Sequence, residues 1–191
     1  MSSLAITDAL LCICAIGLAS QANIKLGARF ALGLIAIPAL LGVLRFSGLY
    51  PLERWHQLFS ILSASSAMPL LALCALWPAS VVATQKRYAL IFLGAAALLG
   101  IIISGLAKVR IYDQTLALLS MALLLKTFIS AKDFQGIAGS ICMLAGSILF
   151  VTKMQIAGYL LPGDFLHLSL AIGLLLVTKT AKFQTVPDAR K

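Results

Sequence analysis

Long runs of apolar residues, separated by short stretches of charged and turn-forming residues, dominate the sequence. The runs are continuous and not alternating, and most approach the length of about 20 residues that a helix needs to cross a bilayer. Because backbone amides in hydrocarbon must bond within their own segment, such runs predict helices and not a β-barrel. The predicted fold is all-α, a single integral-membrane domain over residues 1–191 that forms a polytopic transmembrane bundle of seven helices with short loops. The runs cover approximately residues 4–21, 27–46, 54–77, 87–106, 112–130, 134–153 and 162–179.

The composition supports lipid as the solvent of this chain. Hydrophobic residues make up 61% of the sequence, charged residues 11%, and the mean hydropathy is +1.04. A soluble domain is about half apolar and about a quarter charged. These values exclude a disordered chain, a coiled coil and a disulfide scaffold, and they disfavour a soluble enzyme. The cysteines fall inside apolar runs without a C-x-x-C pair, which argues against a zinc ribbon or a redox motif: Cys12, Cys14, Cys74 and Cys142.

The basic residues lie mainly near the ends of the apolar runs, and we interpret them as a topology signal. The net charge is +9, yet no basic stripe is interleaved with aromatic residues, so we expect membrane lipids and not nucleic acid as partners. Other membrane subunits are a further expected class of partner. By the positive-inside rule, ten cations against five place the N-terminus outside and the C-terminus in the cytoplasm, and for a bacterial protein the membrane would be the cytoplasmic or inner membrane. The inner set is Lys25, Arg29, Lys86, Arg87, Lys126, Lys132, Lys179, Lys182, Arg190 and Lys191, and the outer set is Arg45, Arg54, Lys108, Arg110 and Lys153.

Small residues and prolines inside the runs predict how the helices pack. Gly139 and Gly146 belong to a stripe of small residues along the sixth run, and Gly100 lies in the fourth. Small residues let membrane helices approach closely. Pro38 and Pro69 each remove a backbone hydrogen bond and predict a kink in the second and third helices.

The two histidines of the chain occur in the same local pattern. Glu53 precedes His56 by three residues at the start of the third run, and Asp164 precedes His167 by three at the start of the seventh. Residues three apart share one face of a helix. In the predicted topology both pairs lie in the outer leaflet. Carboxylate and imidazole are ligands for zinc or iron, so the four residues predict a metal site, with zinc as the candidate cofactor.

Ser60 and Ser63 continue the polar stripe of the third run below His56, which makes them candidate catalytic residues. A purely structural interpretation stays open beside this one. Asp164 follows a Pro-Gly pair and is suited to capping its helix, and Glu53 lies in a first turn, where the helix dipole favours an anion. Serines in membrane helices often bond to their own backbone.

A cluster of cations near the outer leaflet is a candidate site for an anion or a lipid headgroup. The alternative is a set of solvated loop residues. The cluster consists of Arg45, Lys108, Arg110 and Lys153.

The combination of seven helices with serine, histidine and carboxylate near helix starts resembles the CREST superfamily, which includes alkaline-ceramidase-like and adiponectin-receptor-like proteins. Glu53, His56, Ser60 or Ser63, Asp164 and His167 carry the resemblance. It implies a hydrolase fold with a zinc site. That family uses three histidines, with a pair on its last helix, whereas this chain has two in total and the first lies on the third helix. The ligand set is therefore incomplete.

The function that these features favour is a non-catalytic membrane component, such as a subunit, an assembly factor or a lipid-binding scaffold. One alternative is a metal-dependent lipid or amide hydrolase that uses the carboxylate and histidine cluster. A small-solute transporter and a haem protein with His56 and His167 as axial ligands are further alternatives.

Overall fold

The computed structural model describes residues 2–48, 52–109, 111–153 and 161–185. Within these ranges the chain is all-helical, with eight helices and no strand. We number them in chain order. They are α1 (Ser3–Ala19), α2 (Leu26–Phe46), α3 (Glu53–Leu76), α4 (Val81–Thr84), α5 (Lys86–Leu106), α6 (Ile111–Ala131), α7 (Phe134–Val151) and α8 (Pro162–Thr178).

Helices occupy all seven predicted runs, and five of them are long and apolar enough to cross a membrane: α2, α3, α5, α6 and α7. The other two, α1 and α8, are apolar but have 17 residues each. The helix that the sequence did not predict is α4, a single turn in the loop after α3. The one residue in the sequence that indicates this turn is the helix-capping Ser80, whose hydroxyl accepts a hydrogen bond from the Ala83 amide at 3.3 Å. A turn of four residues is too short to produce a hydropathy signal.

Six helices form a closed ring. In order around the ring, α1 packs on α2, α2 on α3, α3 on α6, α6 on α7, α7 on α8, and α8 returns to α1. Helix α5 lies outside this ring against α2 and α3, and it is the least buried of the five long helices. The six helices of the ring therefore surround a common interior space.

Glycines allow α7 and α8 to pack closely, as the small-residue stripe predicted. A methyl group on Gly139 would collide with the Gly173 carbonyl and the side chains of Leu176 and Val177, and one on Gly173 would overlap the Met143 side chain. Gly146 likewise faces α8. In a membrane, where apolar burial does not drive helix association, this close contact supplies the van der Waals energy that holds the pair together.

Pro69 follows a local widening of α3. Within α3 the residues Ser63–Ala67 form a π-helical segment, which ends just before the proline. The proline lacks an amide donor and its ring crowds the carbonyl four residues earlier, so the helix widens there. Ser63 and Ala64 of this segment face the interior of the ring, and Ser65 and Ser66 are fully buried.

The segment after α8 packs against the end of the bundle where α2 and α7 begin. Gln184 pairs with Ile24 in an isolated antiparallel bridge, and Lys25 donates a 2.6 Å hydrogen bond to the Lys182 carbonyl. Phe183 is fully buried, with its ring centroid 6.4 Å from that of Phe128. These contacts join the α1–α2 loop to α6 and to the end of α8.

Replacing Gly173 with alanine should weaken the α7–α8 contact. We expect Gly173→Ala to lower the free energy of unfolding by about 1–3 kcal/mol, because a methyl in a fully packed contact forces side chains and backbone apart. Gly94→Ala is the matched control, since no heavy atom lies within 4 Å of a methyl at Gly94. It should leave stability unchanged or raise it, because alanine favours helix more than glycine. Thermal unfolding of both purified variants in detergent, followed by circular dichroism, makes the comparison. Equal midpoints for the two variants would contradict the packing assignment.

Candidate functional site

The ring of helices encloses a cavity of about 650 Å³. Six helices contribute to its wall and α5 contributes none of the described lining residues. The cavity begins at the end of the bundle where α1, α3, α6 and α8 start, which we call the mouth end. It reaches the middle of the bundle, since its wall runs from His56 to Met68 on α3. At 1.5 Å per residue this is roughly 18 Å.

The cavity is apolar in its depth and polar at its mouth. Met68, Met121 and Leu170 contribute to the deep wall. Charged and hydrogen-bonding side chains line the mouth end, and they come from five different helices or helix ends. These side chains are Arg45, His56, Asp113, Gln114, Lys153 and His167. A concave apolar space of this size with a few polar groups at one end is typical of ligand-binding sites.

Arg45 is held at the mouth by three neighbours. It is located at the end of α2, and one of its terminal nitrogens donates to Glu53 Oε1 at 2.9 Å. The other lies 3.3 Å from His56 Nδ1, and its guanidinium carbon is 5.0 Å from the centre of the Phe46 ring. Because a guanidinium has five donor hydrogens and no acceptor, these contacts leave donors for an anion in the cavity.

His56 takes its orientation from the same group. Its ring packs edge-on against Phe46, with centroids 5.9 Å apart. Since Arg45 can only donate, Nδ1 of His56 is the acceptor of their contact. The proton of this neutral imidazole is therefore on Nε2.

Asp164 is a structural carboxylate, which is the interpretation that the sequence left open beside metal binding. It is fully buried at the third position of α8. One oxygen accepts from the Leu161 amide at 3.0 Å and from the Ser3 hydroxyl at 2.9 Å, and the other accepts from the Thr7 hydroxyl at 3.0 Å. These bonds give the free amide at the start of α8 an acceptor and connect α8 to α1.

The carboxylate beside His167 is Asp8 of α1, not Asp164. Asp8 Oδ1 is 3.1 Å from His167 Nδ1, although the alignment falls short of a good hydrogen bond. The Asp8 side chain is 1% exposed, and its second oxygen has no partner among the described residues. A methyl group at Gly42 would overlap this carboxylate, so only glycine fits opposite it on α2.

Sequence reasoning missed Asp8 because it lies inside an apolar run and has no histidine nearby in sequence. The signal was present nonetheless. An acidic residue in the interior of a transmembrane run is costly and marks a functional or structural site.

The proposed metal-ligand set does not assemble. Among the described residues, no group of three or more histidine, cysteine, aspartate or glutamate side chains has a geometry that could hold a metal ion. Glu53 is paired with Arg45, and Asp164 is occupied by amide and hydroxyl donors. The two histidines do line the same cavity, as the predicted topology required, but each contacts a different partner.

The predicted serines and cations divide between the cavity and the surface. Ser60 and Ser63 both line the cavity, and Ser60 donates its hydroxyl to the His56 carbonyl at 2.7 Å. Of the predicted anion site, Arg45 and Lys153 line the cavity. Lys108 is exposed and does not belong to the cavity wall, and Arg110 lies outside the described residues.

Comparison with protein-family models, curated proteins and solved structures finds no match for this chain.

The two carboxylate-x-x-histidine motifs should respond differently to the loss of their carboxylates. We expect Asp164→Ala to lower the free energy of unfolding by about 2–4 kcal/mol, because it leaves a helix start and the Ser3 hydroxyl without their acceptor and leaves the Thr7 hydroxyl only the Leu4 carbonyl. Glu53→Ala should cost less than about 1 kcal/mol, since its ion pair with Arg45 is exposed. The Glu53 side chain is 61% exposed, against complete burial of Asp164. Thermal unfolding in detergent gives both values, and similar losses would contradict this assignment.

Proposed function

We propose that this protein spans the membrane seven times and binds one single-chain amphiphile with an anionic headgroup in its cavity. Arg45 at the polar mouth of a cavity whose depth is apolar is the observation that carries the proposal. In this role the protein is a lipid-binding component of the membrane.

The outward faces of the two shorter helices support seven crossings. On α1, Ile6, Leu10, Ile13 and Ile16 are spaced at helical intervals and are 48–70% exposed, while Asp8 on the other side is buried. A helix that is apolar outside and holds its polar group inside is suited to lipid and not to water. Helix α8 likewise exposes Ile172 and Leu175. Seventeen residues are at the lower end of the range that crosses a bilayer.

The proposed orientation places the cavity mouth in the outer leaflet. The mouth end coincides with the starts of α1, α3, α6 and α8, which the positive-inside rule assigns to the outside. At the opposite end, the described chain carries Lys25, Lys132, Lys179 and Lys182 around a single acidic residue, Asp133. This excess of cations favours contact with the anionic inner leaflet.

A reporter fused to the C-terminus tests the orientation. In bacterial cells, we expect a C-terminal green fluorescent protein to fluoresce and a C-terminal alkaline phosphatase to stay inactive, because both report a cytoplasmic end. Fusions after Phe46, at the mouth end of α2, are the control and should show the opposite pattern. An active C-terminal phosphatase would contradict the proposed topology.

The shape and polarity of the cavity select the ligand class. An acyl chain fits the deep wall, where Met121 and Met68 offer flexible, apolar contacts. An anionic headgroup fits the mouth, where Arg45 retains free donors and Lys153 adds a second cation, against one acidic side chain on the wall, Asp113. Glu53 and Phe46 hold the guanidinium in place before a ligand arrives, which reduces the entropy cost of binding.

If the amphiphile binds inside the cavity, a bulky side chain introduced on the cavity wall should lower the affinity of the protein for it. Equilibrium binding of tetradecyl phosphate to the purified protein in a non-ionic detergent is the measurement. We expect Ala117→Trp, on the cavity wall, to reduce affinity at least tenfold, because the indole occupies the space of the chain. Ala95→Trp, on the exposed face of α5, is the matched control and should bind as the wild type does.

The headgroup contact has its own pair of variants. Arg45→Gln should weaken tetradecyl phosphate binding about tenfold or more, since a charge-assisted hydrogen bond contributes about 1.5–3 kcal/mol. Lys108→Gln removes the same charge from an exposed position and should change affinity little. Equal effects of the two variants would indicate general surface electrostatics instead of a site at the cavity mouth.

A further inference from the structure

A second concave surface, separate from the cavity, lies on the outside of the bundle. It is an open groove of about 630 Å³ between α2 and α5, to which α3 contributes Leu62. No residue described on its wall also lines the cavity. The groove exists because α5 stands outside the ring of helices and covers α2 only in part, so that Ile37 on its wall stays 38% exposed.

Two glycines keep the groove open between the two helices. A methyl group on Gly33 of α2 or on Gly94 of α5 would meet no heavy atom within 4 Å. The α7–α8 contact is the reverse, because a methyl group on Gly139 would collide there with the neighbouring helix. The rest of the described groove wall is apolar, apart from one arginine. The groove is therefore an apolar space that the side chains of α2 and α5 do not fill.

The arginine, Arg29, is located at one end of the groove, in the first turn of α2. Its Nε donates a 2.8 Å hydrogen bond to the Ala19 carbonyl at the end of α1. Within the described part of the chain, its two terminal nitrogens have no acceptor and the groove wall has no acidic side chain. The guanidinium is thus held in position with donors available to an anion.

Lys86 brings a second cation to the same end of the groove. A methyl group on Gly27 would collide with the Val82 carbonyl, so the turn before α5 lies against the start of α2. Lys86 is the first residue of α5 and precedes Leu90 of the groove wall by four residues. Residues four apart share a helix face, so Lys86 lies on the groove side of α5. Its side chain is exposed and long enough to accompany a headgroup at the membrane surface.

The length of the groove fits the chain of a lipid from one leaflet. Its wall on α2 runs from Arg29 to Ile37, which is roughly 12 Å at 1.5 Å per residue. The hydrocarbon of one leaflet is about 15 Å deep, half of the bilayer core. A phospholipid with its phosphate at Arg29 would therefore lay an acyl chain along the groove. In the proposed orientation this lipid belongs to the inner leaflet, where anionic headgroups are attracted to basic pockets between helices.

We propose that the groove binds one anionic phospholipid of the bilayer, with its phosphate between Arg29 and Lys86 and one acyl chain against Gly33 and Gly94. The charges favour this occupant, because an apolar helix of another protein would leave both cations without a counter-charge. The site is distinct from that of the amphiphile in the cavity. The two share no described wall residue, and their charged ends lie at opposite ends of the bundle.

Native mass spectrometry of the purified full-length protein in a non-ionic detergent tests the site. The probes are dioleoyl-phosphatidylglycerol, which is anionic, and dioleoyl-phosphatidylcholine, which has the same chains and no net charge. We expect the wild-type protein to bind one phosphatidylglycerol at least about tenfold more tightly than phosphatidylcholine. The preference should persist in Ala117→Trp, whose cavity is filled, because Ala117 does not belong to the groove.

Variants at the charged end test the headgroup contact. Arg29→Gln should lower the affinity for phosphatidylglycerol about tenfold and Lys86→Gln about fivefold, since each removes a cation beside the phosphate. Lys132→Gln is the matched control, because it removes an exposed cation at the same end of the bundle but outside the groove. Lys86 is exposed, so its replacement tests the contact even if Arg29→Gln disturbs the start of α2. The affinity for phosphatidylcholine should be the same in all three variants.

Variants inside the groove test the chain contact. Gly94→Leu should lower the affinity for phosphatidylglycerol about fivefold or more, because the new side chain takes the place of the acyl chain. Ala95→Leu adds the same side chain at the next, exposed position of α5 outside the groove and should bind as the wild type does. Equal affinity of the wild type for the two lipids, or loss of the preference in Ala117→Trp, would overturn the proposal. So would an unchanged affinity in Gly94→Leu, or a dimer that Gly94→Leu dissociates, since a second copy would then cover the groove.

Discussion

The buried carboxylate of Asp164 holds the ring of helices closed. A buried carboxylate is costly unless donors inside the protein bond to it, and Asp164 accepts from its own helix start and from two hydroxyls of α1. The first and last helices of the chain are thereby joined at the mouth end. Because α8 is fixed there, His167, one turn further along, meets Asp8 of α1 and faces the cavity. The functional geometry depends on this capping interaction.

The positions of the helices followed from the sequence because hydropathy and length determine which segments enter lipid. The contacts of the two histidine motifs did not follow, although the motifs look alike. Glu53 is at a helix start that faces solvent and pairs with the cation at the end of α2. Asp164 is at a helix start that abuts α1 and is fully enclosed. Spacing of three residues defines a shared helix face, but the neighbouring helix decides which partner each side chain meets.

No sequence pattern predicts the cavity itself. The cavity arises because some neighbouring helices of the ring approach each other more closely than others do. Gly139 and Gly173 bring α7 and α8 into close contact. Across the ring, the π-helical turn before Pro69 shifts α3, and methionines line its inner surface with α6. Close packing on one side and a widened helix on the other leave the interior space. Sequence reasoning identified Gly139 and the proline but not Gly173, and it could not give the relative depth and rotation of the helices.

Each of the two histidines meets a different kind of group behind it. A guanidinium, which can only donate, contacts Nδ1 of His56, whereas the buried carboxyl group of Asp8 lies 3.1 Å from Nδ1 of His167. Both partners come from neighbouring helices, so the hydrogen-bonding pattern of the cavity is set by the packing of α2 against α3 and of α1 against α8. Gly42 leaves the space on α2 in which the Asp8 carboxyl group lies beside the imidazole. A glycine without chemistry of its own thus determines where the carboxyl group behind one cavity wall can lie.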